Sequence, residues 1–298
     1  MSRGRATAIG LTAVLLWALL ALLTVATAPV PPLQLNAICF AIGGLAGLLW
    51  SATTGGLSRL RTVPPAALAL GIGGLFGYHA FYFSALRLAP PAEASLIAYL
   101  WPLLIVLFSG LLPGERLRPG HLAGAFVAFA GAAIIVLRAA DSLGGGAAMG
   151  YVFAGLCALT WSAYSVLSRR FAAVPTDAVT ISCLATAALS AALHLMLEET
   201  AWPAGAGGWA ATVLLGLGPV GLAFYVWDIG VKQGDIQFLG VASYAAPLLS
   251  TLALVMAKIT PPAPSLLLAA ALIAGGAALA ARASAGGLRR STASGSLP

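Results

Sequence analysis

Long apolar runs, separated by short joints of Pro, Gly and charged residues, fill almost the whole chain. A helix needs about 20 apolar residues, rising about 1.5 Å each, to cross roughly 30 Å of hydrocarbon. Dividing the chain at its breaks gives ten runs of that size, near residues 6–27, 33–51, 65–87, 92–112, 118–138, 148–168, 176–197, 207–229, 236–257 and 264–283. Joints such as Pro29-Val30-Pro31-Pro32 and Gly144-Gly145-Gly146 are built from turn residues. The pattern predicts an all-α membrane protein of ten transmembrane helices. The tail over residues 285–298 has no apolar periodicity and is expected to be a disordered cytoplasmic segment. Arg3 and Arg5, an apolar run and Ala26-Thr27-Ala28 have the outline of a signal peptide. The run from Ala6 to Ala28 is too long for an h-region of about 7–15 residues, so a retained first span is expected.

The charges test this division independently of hydropathy. With ten spans, twelve of the fifteen Lys and Arg residues fall on one side of the membrane, and only Arg87, Arg138 and Lys258 on the other. Basic residues collect on the cytoplasmic side, so both termini are expected there, in a multi-pass protein of the cell inner (plasma) membrane.

The chain also repeats itself. Trp17 and Trp161 are 144 residues apart, as are Cys39 and Cys183. Phe81-Tyr82 recurs as Phe224-Tyr225 after 143 residues, and Tyr99-x-x-Pro102-Leu103-Leu104 as Tyr244-x-x-Pro247-Leu248-Leu249 after 145. A near-constant offset predicts two five-helix repeats, residues 1–140 and 141–284. Five is odd, so the second must begin on the opposite face. Such inverted-topology repeats enclose midplane sites in many secondary transporters, and a central cavity is expected here.

Composition narrows the class. The chain is 60% hydrophobic and 8% charged, with a mean hydropathy of +0.99; a soluble domain carries about 25% charged residues. The net charge of +7 is spread along the chain as topology signals, and nucleic acid is not an expected partner. Cys39, Cys157 and Cys183 lie singly in apolar stretches, with no C-x-x-C pair. P-loop, H-E-x-x-H and G-x-S-x-G motifs do not occur. His79, His121 and His194 are too dispersed for a metal site. No cofactor, metal or enzymatic activity is expected.

Five plus five spans, a Trp in spans one and six, the two Tyr-x-x-Pro-Leu-Leu segments, and Gly114-Glu115 followed by Gly124 and Gly131 together carry a resemblance. Over residues 5–285 the chain resembles the EamA-type branch of the drug/metabolite transporter superfamily. Within it, the aromatic content is most similar to the YddG-type exporters of aromatic and other amino acids. One departure is Lys258-Ile259-Thr260, where the repeat would place a glutamate matching Glu115. The resemblance implies a secondary transporter of small organic molecules, amino acids with a leaning to aromatic ones, working by alternating access. The alternatives are a drug or other-metabolite exporter on the same scaffold, and a non-transporting membrane protein. The oligomeric state stays open and is compatible with a monomer; membrane lipid is the other partner.

Candidate site residues follow from the cost of polar groups inside a bilayer, on the order of 3 kcal/mol for a charge at mid-span. His79 lies near the middle of span three, beside Tyr78 and Tyr82; positions 79 and 82 share a helix face. Trp17 and Trp161 lie within spans rather than in the interfacial belts. Tyr99 and Trp101 precede Pro102; Ser243 and Tyr244 precede Pro247. Each proline frees the carbonyl four residues earlier, those of Ala98 and Ser243, and paired breaks mark a midplane site. His79, Tyr82, Tyr99 and Ser243 are expected to hold the substrate's ammonium or carboxylate, with the aromatic rings around its apolar part. With no carboxylate expected at mid-membrane, gradient-driven movement is the simpler mechanism, and His79 is the candidate proton site. Asp228 and Lys232 are expected to be a structural pair, Asp177 to suit its own helix dipole, and Glu198 and Glu199 to be solvated.

Overall fold

The structure is a computed structural model that describes residues 1–89, 94, 97–138, 148–259 and 262–294. All regular structure among them is helical, and eight helices or helix pairs are long and apolar enough to cross a membrane. They cover Arg3–Ala26, Pro32–Thr53, Pro65–Leu86, Ala148–Phe171, Ala178–Leu197, Gly205–Gln233, Ile236–Met256 and Ser265–Ala285. Pro119–Ile134 is a shorter apolar helix, and the run expected at 92–112 is described as helix over Trp101–Ser109. The last helix continues to Ser294, past its expected end at 283; Ala, Leu and Arg there are strong helix formers. Residues 295–298 lie outside the described residues.

Several expected spans are broken within their length. The first divides into Arg3–Trp17 and Leu20–Ala26. The helix from Gly205 passes through one π turn, Gly218–Leu222, before continuing as Ala223–Gln233. The stretch after Asp235 divides into Ile236–Ala242 and Ala245–Met256. Pro102 stands in the first turn of Trp101–Ser109 rather than inside a continuous helix, where its missing N–H costs nothing.

Helices pack in pairs, and glycine sets the closest approaches. Arg3–Trp17 lies along Ala223–Gln233, where a Cβ on Gly10 would stand 2.9 Å from the Cα of Gly230. Pro119–Arg138 lies along the last helix, and a Cβ on Gly124 would stand 2.5 Å from the carbonyl oxygen of Gly276. Backbones come this near only where small residues face each other.

Pro32–Thr53 and Ala178–Leu197 form an antiparallel pair tied at both ends. At one end the Glu198 carboxylate accepts from the N–H groups of Leu33, at 3.0 and 3.1 Å, and Gln34, at 3.2 Å. The first turn of a helix has no internal partners for its N–H groups, and Glu198 supplies them from the other helix. His194 Nδ1 lies 3.1 Å from the same carboxylate. The expectation of a solvated Glu198 is therefore corrected, whereas Glu199 is exposed. At the other end Asp177 accepts from Ser51 Oγ at 3.0 Å and Arg59 Nε at 3.0 Å. It stands at the N-cap of its own helix, where a carboxylate suits the dipole, but its side chain makes no capping hydrogen bond there. Partial burial raises the Asp177 pKa, but the Arg59 and Ser51 hydrogen bonds outweigh that and hold it below its ordinary 3.8. A depressed carboxylate contributes its stability above the ordinary value and loses it as pH falls through the folded one. Between the two ends, Asn36 Nδ2 donates to Ser190 Oγ at 2.7 Å.

Removing the Glu198 carboxylate orphans N–H groups at a helix start, and hydrogen bonds to charged groups are worth about 1.5–3 kcal/mol. Glu198→Ala should destabilise the fold in detergent by that order, lowering the thermal midpoint by several degrees, and Glu198→Gln by less, read by tryptophan fluorescence. An unchanged midpoint for Glu198→Ala would contradict the capping role.

Candidate substrate cavity

Four tryptophans from different helices meet near the centre of the bundle. Trp17 packs against Trp227 at 5.2 Å between ring centroids, Trp161 at 5.9 Å and Trp101 at 6.1 Å. The last two contacts are edge-to-face, the arrangement that ring quadrupoles favour. Trp227 is fully buried and donates its Nε1–H to Ser165 Oγ at 3.1 Å. Trp17 donates its Nε1–H to the Pro219 carbonyl at 3.2 Å, across 202 residues of sequence. That carbonyl belongs to the π turn, where the regular ladder is interrupted. Its partner comes from the residue at which the first span breaks.

On this cluster sits a cavity of about 250 Å³. Trp17, Trp101 and Trp161 form part of its wall, with Phe224. Tyr78, His79 and Tyr82 line it from Pro65–Leu88, and Tyr99 from just before Trp101. The Tyr78 and Tyr82 rings stack at 6.0 Å with 7° between planes, one helical turn apart. His79 is held by Phe40, edge-on at 5.0 Å, and by a hydrogen bond of 2.7 Å from Nδ1 to the Leu75 carbonyl. A carbonyl only accepts, so Nδ1 carries the proton and Nε2 is the acceptor of the neutral ring. Leu20, Ala21, Pro219, Val220, Ala246 and Ser250 complete the lining. No Asp, Glu, Lys or Arg is among the described lining residues.

Seven of the sequence-derived candidates thus meet on one cavity: Trp17, Tyr78, His79, Tyr82, Tyr99, Trp101 and Trp161. Ser243 and Tyr244 do not. Ser243 is fully buried and donates to the Leu239 carbonyl at 2.7 Å, while its own carbonyl accepts from Ala246 at 3.0 Å. The carbonyl expected to be free for substrate is therefore satisfied by a tighter turn. Tyr244 is fully buried against Phe129, and its hydroxyl accepts the N–H of Leu103 at 3.2 Å. Leu103 lies in the first turn after a break, where N–H groups lack helical partners. Tyr244 thereby caps a helix of the other sequence half. Pro102 and Pro247 stand beside the breaks and do not line the cavity.

Sequence reasoning missed Phe224, Pro219 and Ser250. Phe224 was visible as the echo of Phe81, and Pro219 sits in the breaker-rich string Gly218-Pro219-Val220-Gly221. Ser250 is a lone hydroxyl in an apolar run. Asp228 and Lys232 pair at 2.9 Å, buried away from this cavity, as expected. Thr176 Oγ1 donates to the same carboxylate at 2.8 Å, and Lys232 Nζ to the Val174 carbonyl at 3.0 Å.

A bundle of apolar helices around an aromatic, uncharged cavity defines a multi-pass membrane protein with a small-molecule site. The comparisons agree. The model of the EamA-like transporter family matches residues 5–137 and again residues 148–282, and the chain belongs to that family. It is 58% identical over 269 residues to the aromatic amino acid exporter YddG of Ancylobacter novellus, covering 89% of this chain and 93% of that one. The protein of that name from Salmonella typhimurium is 26% identical, covering 84% and 88%. A crystal structure superposes with a TM-score of 0.89 at 57% identity, over 94% of this chain and 98% of that chain.

The sorting of residues into cavity and core is testable by thiol reactivity. Cysteines placed at Ala21 and Ser250 should react with a small polar thiol reagent, whereas one placed at Ser243 and the buried native Cys39, Cys157 and Cys183 should not. Labelling at position 243 as fast as at 250 would contradict the assignment.

Proposed function

We propose that this protein is a secondary transporter that moves amino acids, aromatic ones included, out of the cell by alternating access. The observation that carries this reading is the cavity itself, aromatic, uncharged and built from both sequence halves. A zwitterionic amino acid needs no net counter-charge. Its side chain packs on the tryptophan and phenylalanine rings, and its ammonium suits π faces. Tyr78, His79, Tyr82 and Tyr99 offer polar edges for the two charged groups, and Ser250 adds a hydroxyl. The names of the relatives from Ancylobacter and Salmonella support the same substrate class.

The ten spans are read as two five-helix repeats of inverted topology, residues 1–140 and 141–284, in the inner membrane with both termini cytoplasmic. Two successive matches to one family model and the constant sequence offset support the repeat. The lysine and arginine distribution supports the orientation. Movement is gradient-driven, since no permanently charged side chain faces the cavity among the described residues.

In liposomes, counterflow of labelled tryptophan, threonine and methionine should be saturable. Trp101→Ala should reduce it at least about tenfold, equivalent to about 1.4 kcal/mol. Exchange unchanged by Trp101→Ala, or no exchange of any amino acid by folded protein, would overturn the reading. A rate lowered by His79→Ala with an unaltered pH profile would remove His79 as a proton carrier.

A further inference from the structure

A cluster of charges joins the two sequence halves at the end of the bundle where the chain begins. Glu115, just beyond Trp101–Ser109, bridges two arginines: Arg3 Nη2 at 3.2 Å and Arg169 Nη2 at 2.9 Å. Arg3 also lies 3.6 Å from Asp235, and Arg169 donates to the Gly234 carbonyl at 3.1 Å. The Asp235 N–H donates to Thr7 Oγ1 at 2.8 Å. The Glu115 side chain is only 9% exposed. Between the cluster and the cavity Gly10 and Gly230 cross backbone on backbone. The cavity begins at Trp17, about 20 Å further along the first helix at about 1.5 Å per residue, and its other residues on that helix, Leu20 and Ala21, lie further still.

The repeat makes a comparison possible. At the offset of 144 residues, Arg3, Glu115, Arg169 and Asp235 correspond to Ala147, Ile259, Val25 and Pro91. None of these is ionisable, and one residue either way adds only Lys258, opposite in sign to Glu115, so the sequence does not repeat this charge pattern. The antiparallel pair Pro32–Thr53 and Ala178–Leu197 is different, being tied at both ends by Glu198 and Asp177.

We infer that the Arg3–Glu115–Arg169–Asp235 cluster is a one-ended latch that sets the resting conformation, with the cavity turned away from the N-terminal end. This inference rests on the alternating-access reading of the preceding section. The doubly tied pair is the axis that keeps its contacts while the latch opens. An ionic latch suits the task because opening returns each charge to water, which offsets much of the lost attraction. The closed end is therefore favoured but releasable.

The test uses spin labels on Arg116→Cys and Ala172→Cys, two exposed positions flanking the cluster, in protein reconstituted in liposomes. The native cysteines are buried and do not take the label. Pulsed distance measurement should give one dominant short-distance population. Glu115→Gln should raise a longer-distance population several-fold, and Arg169→Gln should do the same, each in protein shown to be monodisperse. High salt, which shortens the screening length to about 3 Å at 1 M, should raise it in the otherwise unaltered chain and not in Glu115→Gln. Unaltered distances in both variants, with counterflow intact in the same liposomes, would overturn the latch. Loss of counterflow in the labelled but otherwise unaltered chain, with the label removed as its cause by unlabelled controls, would instead overturn the transport reading.

Discussion

Inside hydrocarbon every backbone N–H and C=O must find a partner within the protein, and the rest of this structure follows from how that is met where helices break. At the π turn the Pro219 carbonyl takes the Trp17 indole. After the break before Trp101, the Leu103 N–H takes the Tyr244 hydroxyl. At the start of Pro32–Thr53, Glu198 takes two N–H groups. In each case the partner comes from the other half of the sequence. The breaks are thus also the joints between halves, and the cavity lies among the first two of them.

The aromatic cluster is the second consequence. A void at membrane depth has to be walled by side chains that tolerate both a dry and an occupied state. Rigid rings do this with little rotamer entropy to lose, and aromatic pairs add about 0.5–1.5 kcal/mol each beyond their buried area. Two of the indole N–H groups, on Trp17 and Trp227, are already bound within the protein. They fix the shape of the site, whereas the tyrosines and His79 bring polar edges to its wall. Charge is kept to places where water or a fixed partner meets it, such as the Asp228–Lys232 pair and the cluster around Glu115.

Much of this was legible in the sequence. The apolar runs placed most of the described helices to within a few residues, the last one, which runs on to Ser294, being the clearest exception, and the family followed from motif order and spacing. Seven cavity-lining residues were legible as aromatic and polar groups clustered at mid-span. Ser243 and Tyr244 were misplaced because the proline rule shows which carbonyl is freed, but not that a 3-residue turn recaptures it. The repeat also suggested that Tyr99 and Tyr244 act alike. The two positions have diverged, one facing the cavity and the other capping a helix. Glu198 was misread since hydropathy assigns a span-end carboxylate to water, and its cap is formed with a helix start 165 residues away. The break after Trp17 had no Gly or Pro to announce it.

Everything proposed for this protein depends on the aromatic cavity binding a free amino acid. The most direct measurement is titration of the purified protein with L-phenylalanine, following tryptophan emission excited where phenylalanine does not absorb. With Trp17, Trp101 and Trp161 on the cavity wall, binding should give a saturable change in emission that Trp101→Phe and Trp161→Phe each diminish. An emission spectrum indifferent to L-phenylalanine at all concentrations, in protein that unfolds cooperatively on heating, would contradict it.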